Sequence, residues 1–379
     1  MRPLVAMGLT ALLVTSGCAT APTYIPPDDD VDARIEALMA EYNAASVGVG
    51  IIRGGKLVWT GYYGEESRGV PVTAISMFNT ASTNKSITAE LALRLASEGL
   101  IDLDEPVAPY YEHPDVKDDP RYAKLTPRLL LSHQAGFLNW AHVYDDGKLA
   151  FIDEPGNGNY NYAGIGVRIF ARFVEAKLGK PFPQLVKEYV FDPIGMTRAT
   201  NAHNVVDRLD NVVMPVNPNG EFLKVRALWE GYWSAADDLF ISVEDHAKFL
   251  IATMNNDGVN KAMAKERLTL QTDITDHTIW GCGPDYVDPC PEPYGHSIGW
   301  YLFGYGDRLV VHHGGNDQSE GAIGYYEPAT GNGGVIFVNT TRGVELWPLI
   351  ADVVDPEQPM QDVFHDVIRR YITNAGDNN

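Results

Sequence analysis

Positive charge is scarce in this chain. Lysine and arginine number 29 against 50 aspartate and glutamate, a formal net charge of −21. A nucleic-acid partner requires a basic footprint, and electrostatic docking on anionic lipid requires one too, so neither is expected. Past the N-terminal residues no apolar run is long enough to span a bilayer. No internal repeat is found. The ten histidines are scattered and no H-E-x-x-H occurs; Asp245-His246 and Asp276-His277 lack partners at ligand spacing, so no metal is implied. Gly48-Val49-Gly50 sits in a strand-like run and opens no helix, which argues against a dinucleotide loop. What is present is 45% apolar and 21% charged residues, the composition of a soluble globular protein with a sizeable core. The length would allow about two or three domains at roughly 150 residues each.

The N-terminus reads as a targeting segment. Arg2 supplies a short positive region, and Pro3 to Thr15 is apolar but short for a stable span. It ends in Val14-Thr15-Ser16-Gly17-Cys18, small residues before a cysteine, similar to a bacterial lipobox with Thr15 where Leu is usual. An ordinary cleaved secretion signal is the alternative. Lipidation at Cys18 is the expectation, because it leaves Cys282 and Cys290 as an even pair able to close a small disulfide in an oxidising periplasm. Residues 1–17 are then the signal and 18–30 a Pro- and Asp-rich tether. The expected location is periplasmic, with membrane contact only through the lipid.

Strand-like runs lie at both ends of the remainder. Val47 to Ile52 and Lys56 to Tyr63 are joined at Gly54-Gly55, a hairpin signal. The last third gives Ser297 to Phe303, Arg308 to His313, Glu320 to Tyr326 and Gly334 to Thr340. Helices are expected over Val31 to Tyr42, Val167 to Leu178, Asp237 to Met254, Glu345 to Val354 and Met360 to Ile372. Residues 108–230 read as helices and long loops. The expected fold is α+β: an antiparallel sheet flanked by helices (31–107 and 231–372) with a mainly helical insert between its halves, and a tail at 373–379.

The chain's only S-x-x-K is Ser82-Thr83-Asn84-Lys85. Apolar residues follow at helical spacing (Ile87, Leu91, Leu95), placing the tetrad on the first turn of an amphipathic helix. Residues i and i+3 share one face, so Ser82 and Lys85 lie side by side. A serine hydroxyl becomes a good nucleophile when a neighbouring base takes its proton. Nucleophile and base on one turn, where the helix dipole favours developing negative charge, suit acyl transfer.

Around this tetrad the chain resembles the serine β-lactamase-like superfamily. The similar branch holds class C β-lactamases, DD-carboxypeptidases, D-aminopeptidases and family VIII carboxylesterases. Phe78 to Ala89 matches the nucleophile helix, and Leu100 to Val107 the L-D-L-D-x-P-V stretch after it. Leu125 to Phe137 resembles the run I-T-I-R-H-L-L-T-H-T-S-G-L, and Phe191 to Met196 its P-L-G-M. The resemblance covers about residues 31 to 372. It implies a β-lactamase and penicillin-binding-protein-like fold and a serine hydrolase that needs no cofactor.

The second family motif is Y-x-N. Counting back from Gly179-Lys180 places its tyrosine on Tyr162 and its asparagine on Gly164, with Tyr160 as fallback. The resemblance makes Tyr162 a proton relay between Ser82, Lys85 and the leaving group. Gly164 carries no side chain to hold a substrate amide, which gives an ester substrate more weight. The third motif, K-T-G, becomes His312-His313-Gly314. The resemblance puts His312 in the lysine's place, and His312, His313 and Gly314 in substrate binding. It builds the oxyanion hole from the backbone N–H groups of Ser82 and Gly315. If His312 must be neutral, activity should fall below about pH 6. Gly295-His296-Ser297-Ile298-Gly299 has the pattern of a nucleophile elbow but leads into a strand, so Ser297 is read as a sheet residue.

The expected activity is therefore hydrolysis of a small ester or amide through an acyl-enzyme, with esters favoured. A β-lactamase or D-specific peptidase or amidase is the alternative, and a non-catalytic penicillin-binding-like lipoprotein a further one. The oligomeric state is left open.

Overall fold

The computed structural model describes residues 30–206, 209–224, 228, 233–277, 280–283 and 287–377. The signal segment, Cys18 and the tether up to residue 29 lie outside the described residues. The described strands are β1 (Ser46–Arg53), β2 (Lys56–Ser67), β3 (Val70–Pro71), β4 (Phe78–Asn79), β5 (Ala199–Thr200), β6 (Phe240–Ile241), β7 (Thr272–Asp273), β8 (Tyr294–His296), β9 (Tyr301–Tyr305), β10 (Arg308–Asn316), β11 (Glu320–Glu327) and β12 (Asn332–Asn339). One large sheet has the order β3-β2-β1-β12-β11-β10-β9-β8-β7, with antiparallel neighbours throughout. N- and C-terminal strands thus meet at the β1–β12 pair, where Val49 lies opposite Ile336. A small sheet, β4-β6-β5, stands apart and anchors the chain just before Ser82.

The period-two alternation of β1 explains the layering. Val47, Val49 and Ile51 point to one face, where they pack with the helices Val31–Glu41, Gly343–Val354 and Gln361–Asp377. Gly48 and Gly50 point to the other, where the helix Val243–Met254 comes so close that a Cβ on either glycine would meet Val243 at 2.8 Å. The Gly-Val-Gly stretch is a helix-packing surface. On that second face lie also the nucleophile helix Asn84–Ser97 and the helix Gly164–Leu178 of the inserted part, within one continuous apolar core. The β1–β2 turn puts both Gly54 and Gly55 at positive φ, +55° and +72°, which a two-residue hairpin of the favoured twist requires.

Two expectations need correction. Ser297 to Phe303 is not one strand: β8 ends at His296 and β9 starts at Tyr301. Gly299 between them has φ +72° and abuts the nucleophile helix so closely that a Cβ would lie 2.1 Å from that of Ala89. The helix expected from Asp237 starts instead at Val243. Asp238 has φ +50°, β6 pairs with β4, and Ser242 caps the helix by accepting from the Asp245 N–H at 3.3 Å. Cys282 and Cys290 are joined as a disulfide, with Cα atoms 5.6 Å apart.

Candidate active site

Ser82 lies in a 3-10 turn, Ala81–Thr83, that runs into the helix Asn84–Ser97. Ala81 carries φ +45°, a costly value for a residue with a Cβ. Its surroundings hold it there. The Ala81 N–H donates to Asn79 Oδ1 at 3.1 Å, Thr83 Oγ1 donates to Thr80 Oγ1 at 2.6 Å, and the Thr80 N–H donates to the Leu239 carbonyl at 2.8 Å. Lys85 Nζ is 2.9 Å from Ser82 Oγ, as the i, i+3 spacing requires. The lysine is buried, and its second partner is the Ala236 carbonyl at 2.6 Å. Neighbouring carbonyls grip the same helix. Asn84 Nδ2 donates to those of Ser234 and Asp237, at 3.0 and 2.8 Å, and Thr88 Oγ1 to that of Ala235 at 2.6 Å.

β10 supplies the opposite wall. Its pairing with β9 stops at His312 opposite Tyr301, so the following residues are free on that side to face the Ser82 turn. A Cβ on Gly315 would lie 2.1 Å from the Thr80 carbonyl and 3.0 Å from the Ser82 nitrogen. Gly315 is required there for close approach, not for an unusual φ. Gly315 and Ser82 border one cleft, the location an oxyanion hole requires.

The two tyrosines separate. Tyr162 borders the cleft with Ser82, and its ring lies under Lys85 Nζ at 4.8 Å from the centroid. Tyr160 turns away, its hydroxyl 2.7 Å from that of Tyr301, and burial holds its phenol well above the usual tyrosine range. Geometry thus gives the cleft Tyr162.

His312 and His313 both line the cleft and differ in surroundings. His312 stacks on Tyr301 at 5.1 Å and meets the edges of Phe303 and Phe364; burial pushes its imidazole down to about 3. His313 Nδ1 is 2.7 Å from the Gly314 carbonyl, and burial followed by the Lys85 charge depresses it well below the histidine range. Two histidines outside the three motifs join them. His296 is 4.7 Å from His133 and 6.4 Å from His313, centroid to centroid, and burial pushes it down to about 3. His133 lies tilted against Tyr162, 4.5 Å between ring centroids, and accepts from the Ala163 N–H at 3.1 Å, so its proton resides on Nε2. Burial keeps it neutral as well. Ser297 is fully buried, with its hydroxyl and N–H both on the Trp300 carbonyl, at 3.2 and 2.7 Å. It is no nucleophile.

The Beta-lactamase family profile matches residues 31–355, most of the chain. The chain belongs to the beta-lactamase family. It is similar to penicillin-binding protein 4 of Amycolatopsis lactamdurans, 24% identical over 329 residues, covering 82% of this chain and 84% of that protein. It is similar also to a beta-lactamase of Pseudomonas fluorescens, 25% identical over 179 residues, covering 44% of this chain but only 48%, about half, of that relative. A solved class C beta-lactamase superposes with a TM-score of 0.67 at 17% identity, covering 86% of this chain and 96% of that one, which establishes a shared fold. Family membership supports a serine hydrolase in general terms.

Against the family pattern, position 164 is the informative departure. Gly164 opens its helix at an ordinary φ, so glycine is not needed for backbone reasons. It is needed for space: a Cβ there would meet Trp140 Cζ2 at 2.4 Å. The indole fills the room that a side chain at 164 would use. Asn139, just before it, borders the cleft, and its Oδ1 accepts from the Gly164 N–H at 2.8 Å. Sequence reading missed Asn139, Trp140, His133 and His296. The His-Gln-Ala-Gly-Phe run before Asn139 was the nearest signal. The cleft holds about 310 Å³; Trp280, Trp347, Phe364 and Ile368 give it a largely apolar wall, and His277 and Asn316 add polar lining. None of its described lining residues is a lysine or arginine. No group of three metal-ligating side chains occurs among the described residues.

Proposed function

We propose that this protein is a serine hydrolase that cleaves small esters through an acyl-enzyme, with amides as slower substrates. The observation that carries this reading is the 2.9 Å Ser82 Oγ–Lys85 Nζ contact at the mouth of an apolar cleft without a described cationic wall. In the form of the enzyme with Lys85 neutral, Ser82 Oγ bonds to the carbonyl carbon while its proton passes to Lys85 Nζ. The carbonyl oxygen becomes an oxyanion facing the Ser82 and Gly315 amides. The Tyr162 hydroxyl hands a proton to the leaving oxygen as its bond to carbon breaks, and is reprotonated from Lys85. Water then bonds to the acyl carbon while its proton passes to the same groups; the bond from that carbon to Ser82 Oγ breaks, Oγ takes the proton back, and the acid leaves. A cleft walled by indole and phenyl rings favours neutral, apolar substrates over carboxylates, which would be desolvated there without a counter-charge.

A β-lactam or D-peptide substrate is the second reading, favoured by the likeness to a beta-lactamase and to penicillin-binding protein 4. Export and anchoring through Cys18 belong to the proposal too; an oxidising compartment fits the Cys282–Cys290 disulfide. The test is to assay the mature protein and Ser82→Ala on p-nitrophenyl butyrate and a chromogenic β-lactam. Ester turnover that falls at least about a thousandfold in the variant supports the proposal. β-lactam turnover alone moves the second reading to the front, and turnover retained in Ser82→Ala removes both.

A further inference from the structure

We propose that His133 is a positioning residue for acylation: its ring and its backbone clamp the stretch that carries Tyr162, and so set where the Tyr162 hydroxyl meets the leaving oxygen. The inference rests on the acyl-enzyme reading above, with Tyr162 as proton relay, and adds the residue that aims this relay.

Tyr162 needs such a support. Residues 160–163 lie in no helix or strand, so no regular backbone bonding fixes them. The amides of the residues on either side of Tyr162 both go to one residue, 30 positions before Ala163. The Asn161 N–H donates to the His133 carbonyl at 2.8 Å, and the Ala163 N–H donates to His133 Nδ1 at 3.1 Å. The imidazole also packs on the Tyr162 ring at 4.5 Å and on the His296 ring at 4.7 Å, centroid to centroid. His133 is buried and has φ +59°, in the left-handed region where histidine and asparagine are enriched among residues with a Cβ. Such a conformation persists only where the surroundings over-determine it, and it clusters at functional sites.

The consequence is chemical. His133 is not among the described residues that line the cleft, so it acts through Tyr162 and not on the substrate. A relay hydroxyl must stay within hydrogen-bond reach of the leaving oxygen as the carbon–oxygen bond breaks. A misplacement of about 1 Å can cost about a hundredfold in rate. With the Ala163 N–H released, residues 161–163 relax and the hydroxyl drifts. Ser82 and Lys85 keep their places, because the nucleophile turn and the Ala236 carbonyl hold them. The loss therefore falls on leaving groups that need a proton and spares those that depart as stable anions.

The experiment compares p-nitrophenyl butyrate, whose leaving group departs as an anion, with benzyl butyrate, whose alkoxide must be protonated. Both give the same butyryl-enzyme, so the ratio of their kcat/KM values reports acylation alone. His133→Ala keeps the backbone carbonyl and loses the ring acceptor. It should raise the p-nitrophenyl-to-benzyl ratio at least about tenfold, part of the 10²–10⁴ that general acid–base catalysis supplies. His133→Asn offers an oxygen at the position of Nδ1 and suits the left-handed backbone, so it should return the ratio to within about threefold of wild type. Tyr162→Phe should raise the ratio by itself, and adding His133→Ala to it should change nothing further. A wild-type ratio in His133→Ala while both rates fall together overturns the proposal, because a histidine that only supports the fold acts on both esters alike. So does a ratio that His133→Asn fails to restore, or one that His133→Ala still raises in the Tyr162→Phe background. If His133→Ala does not fold, the same ratio is read in His133→Gln, whose amide lies one bond further out. A wild-type ratio in Tyr162→Phe removes the relay reading, and wild-type protein that turns over neither ester removes the ester reading; this inference falls with either.

Discussion

Lys85 Nζ stands over the face of the Tyr162 ring, 4.8 Å from its centroid, while reaching Ser82 Oγ at 2.9 Å. The tyrosine therefore has two separable parts. Its ring supports the lysine, a contact worth about 0.5–2 kcal/mol, and its hydroxyl has no hydrogen-bond partner among the described residues. Tyr162→Phe should lower kcat by about 10²–10⁴ while the thermal midpoint stays within a few degrees of wild type. Tyr162→Ala should lower both. Unchanged kcat in the phenylalanine variant would move the proton relay to another group.

Gly164 and Trp140 should show strong energetic coupling. Gly164→Asn alone forces a side chain into the indole and should cost about 1–3 kcal/mol by overpacking. Placed on Trp140→Ala, the same asparagine has room. A double-mutant cycle by urea unfolding should return a favourable coupling of about 1 kcal/mol or more. Additive effects would mean that the loop at 139–140 moves aside without cost.

The buried histidines govern the response to acid. The expectation of an activity loss near pH 6 through His312 needs revision, because burial pushes that imidazole down to about 3 and it stays neutral far below pH 6. What responds instead is stability. His133, His246, His296, His312 and His313 all sit below the ordinary 6.5 in the folded protein, with burial as the leading cause. The unfolded chain takes up protons below pH 6.5 and the folded one does not. Stability is therefore complete above 6.5 and falls as pH drops toward 3, by up to about 1.4 kcal/mol per pH unit for each histidine. The thermal midpoint should drop steeply between pH 6.5 and 5, and less so in His246→Gln, whose ring packs on Phe337 away from the cleft. A flat midpoint over that range would contradict the burial of these rings.

Arg267 and Glu90 form a buried ion pair between the nucleophile helix and the helix Lys261–Arg267, with two contacts of 2.6 Å. Trp300 Nε1 also donates to Glu90, at 3.1 Å. Arg267→Ala leaves that carboxylate buried without its charge partner. The expected loss is about 3–5 kcal/mol in unfolding free energy. Loss of less than 1 kcal/mol would show that water reaches Glu90.

The parts of the site that lie within one local stretch were readable in the sequence. Ser82 and Lys85 share a turn, Gly54-Gly55 names its hairpin, and the interval to Gly179 selects Tyr162. The helix at Val243 is readable at its true start too, since Ser242 and Asp245 make an N-terminal capping pattern. Other features exist only after folding. His133 and His296 become neighbours across 163 residues of chain, and each alone looks like an unremarkable loop or strand histidine. Gly164 looked like a lost function because its occupant, Trp140, belongs to another loop. The pairing of β4 with β6 brings residue 78 to residue 241, a juxtaposition that no local propensity encodes.

The carbonyls of Ser234, Ala235, Ala236 and Asp237, gripped by Asn84, Lys85 and Thr88, carry a consequence for recombination. This short segment lies just after the helical insert, yet it is the socket in which the nucleophile helix is seated. A chimera that exchanges the insert with that of a relative should place its downstream crossover before residue 234. A crossover a few residues later would import a foreign socket and shift Lys85, although every catalytic side chain remained native.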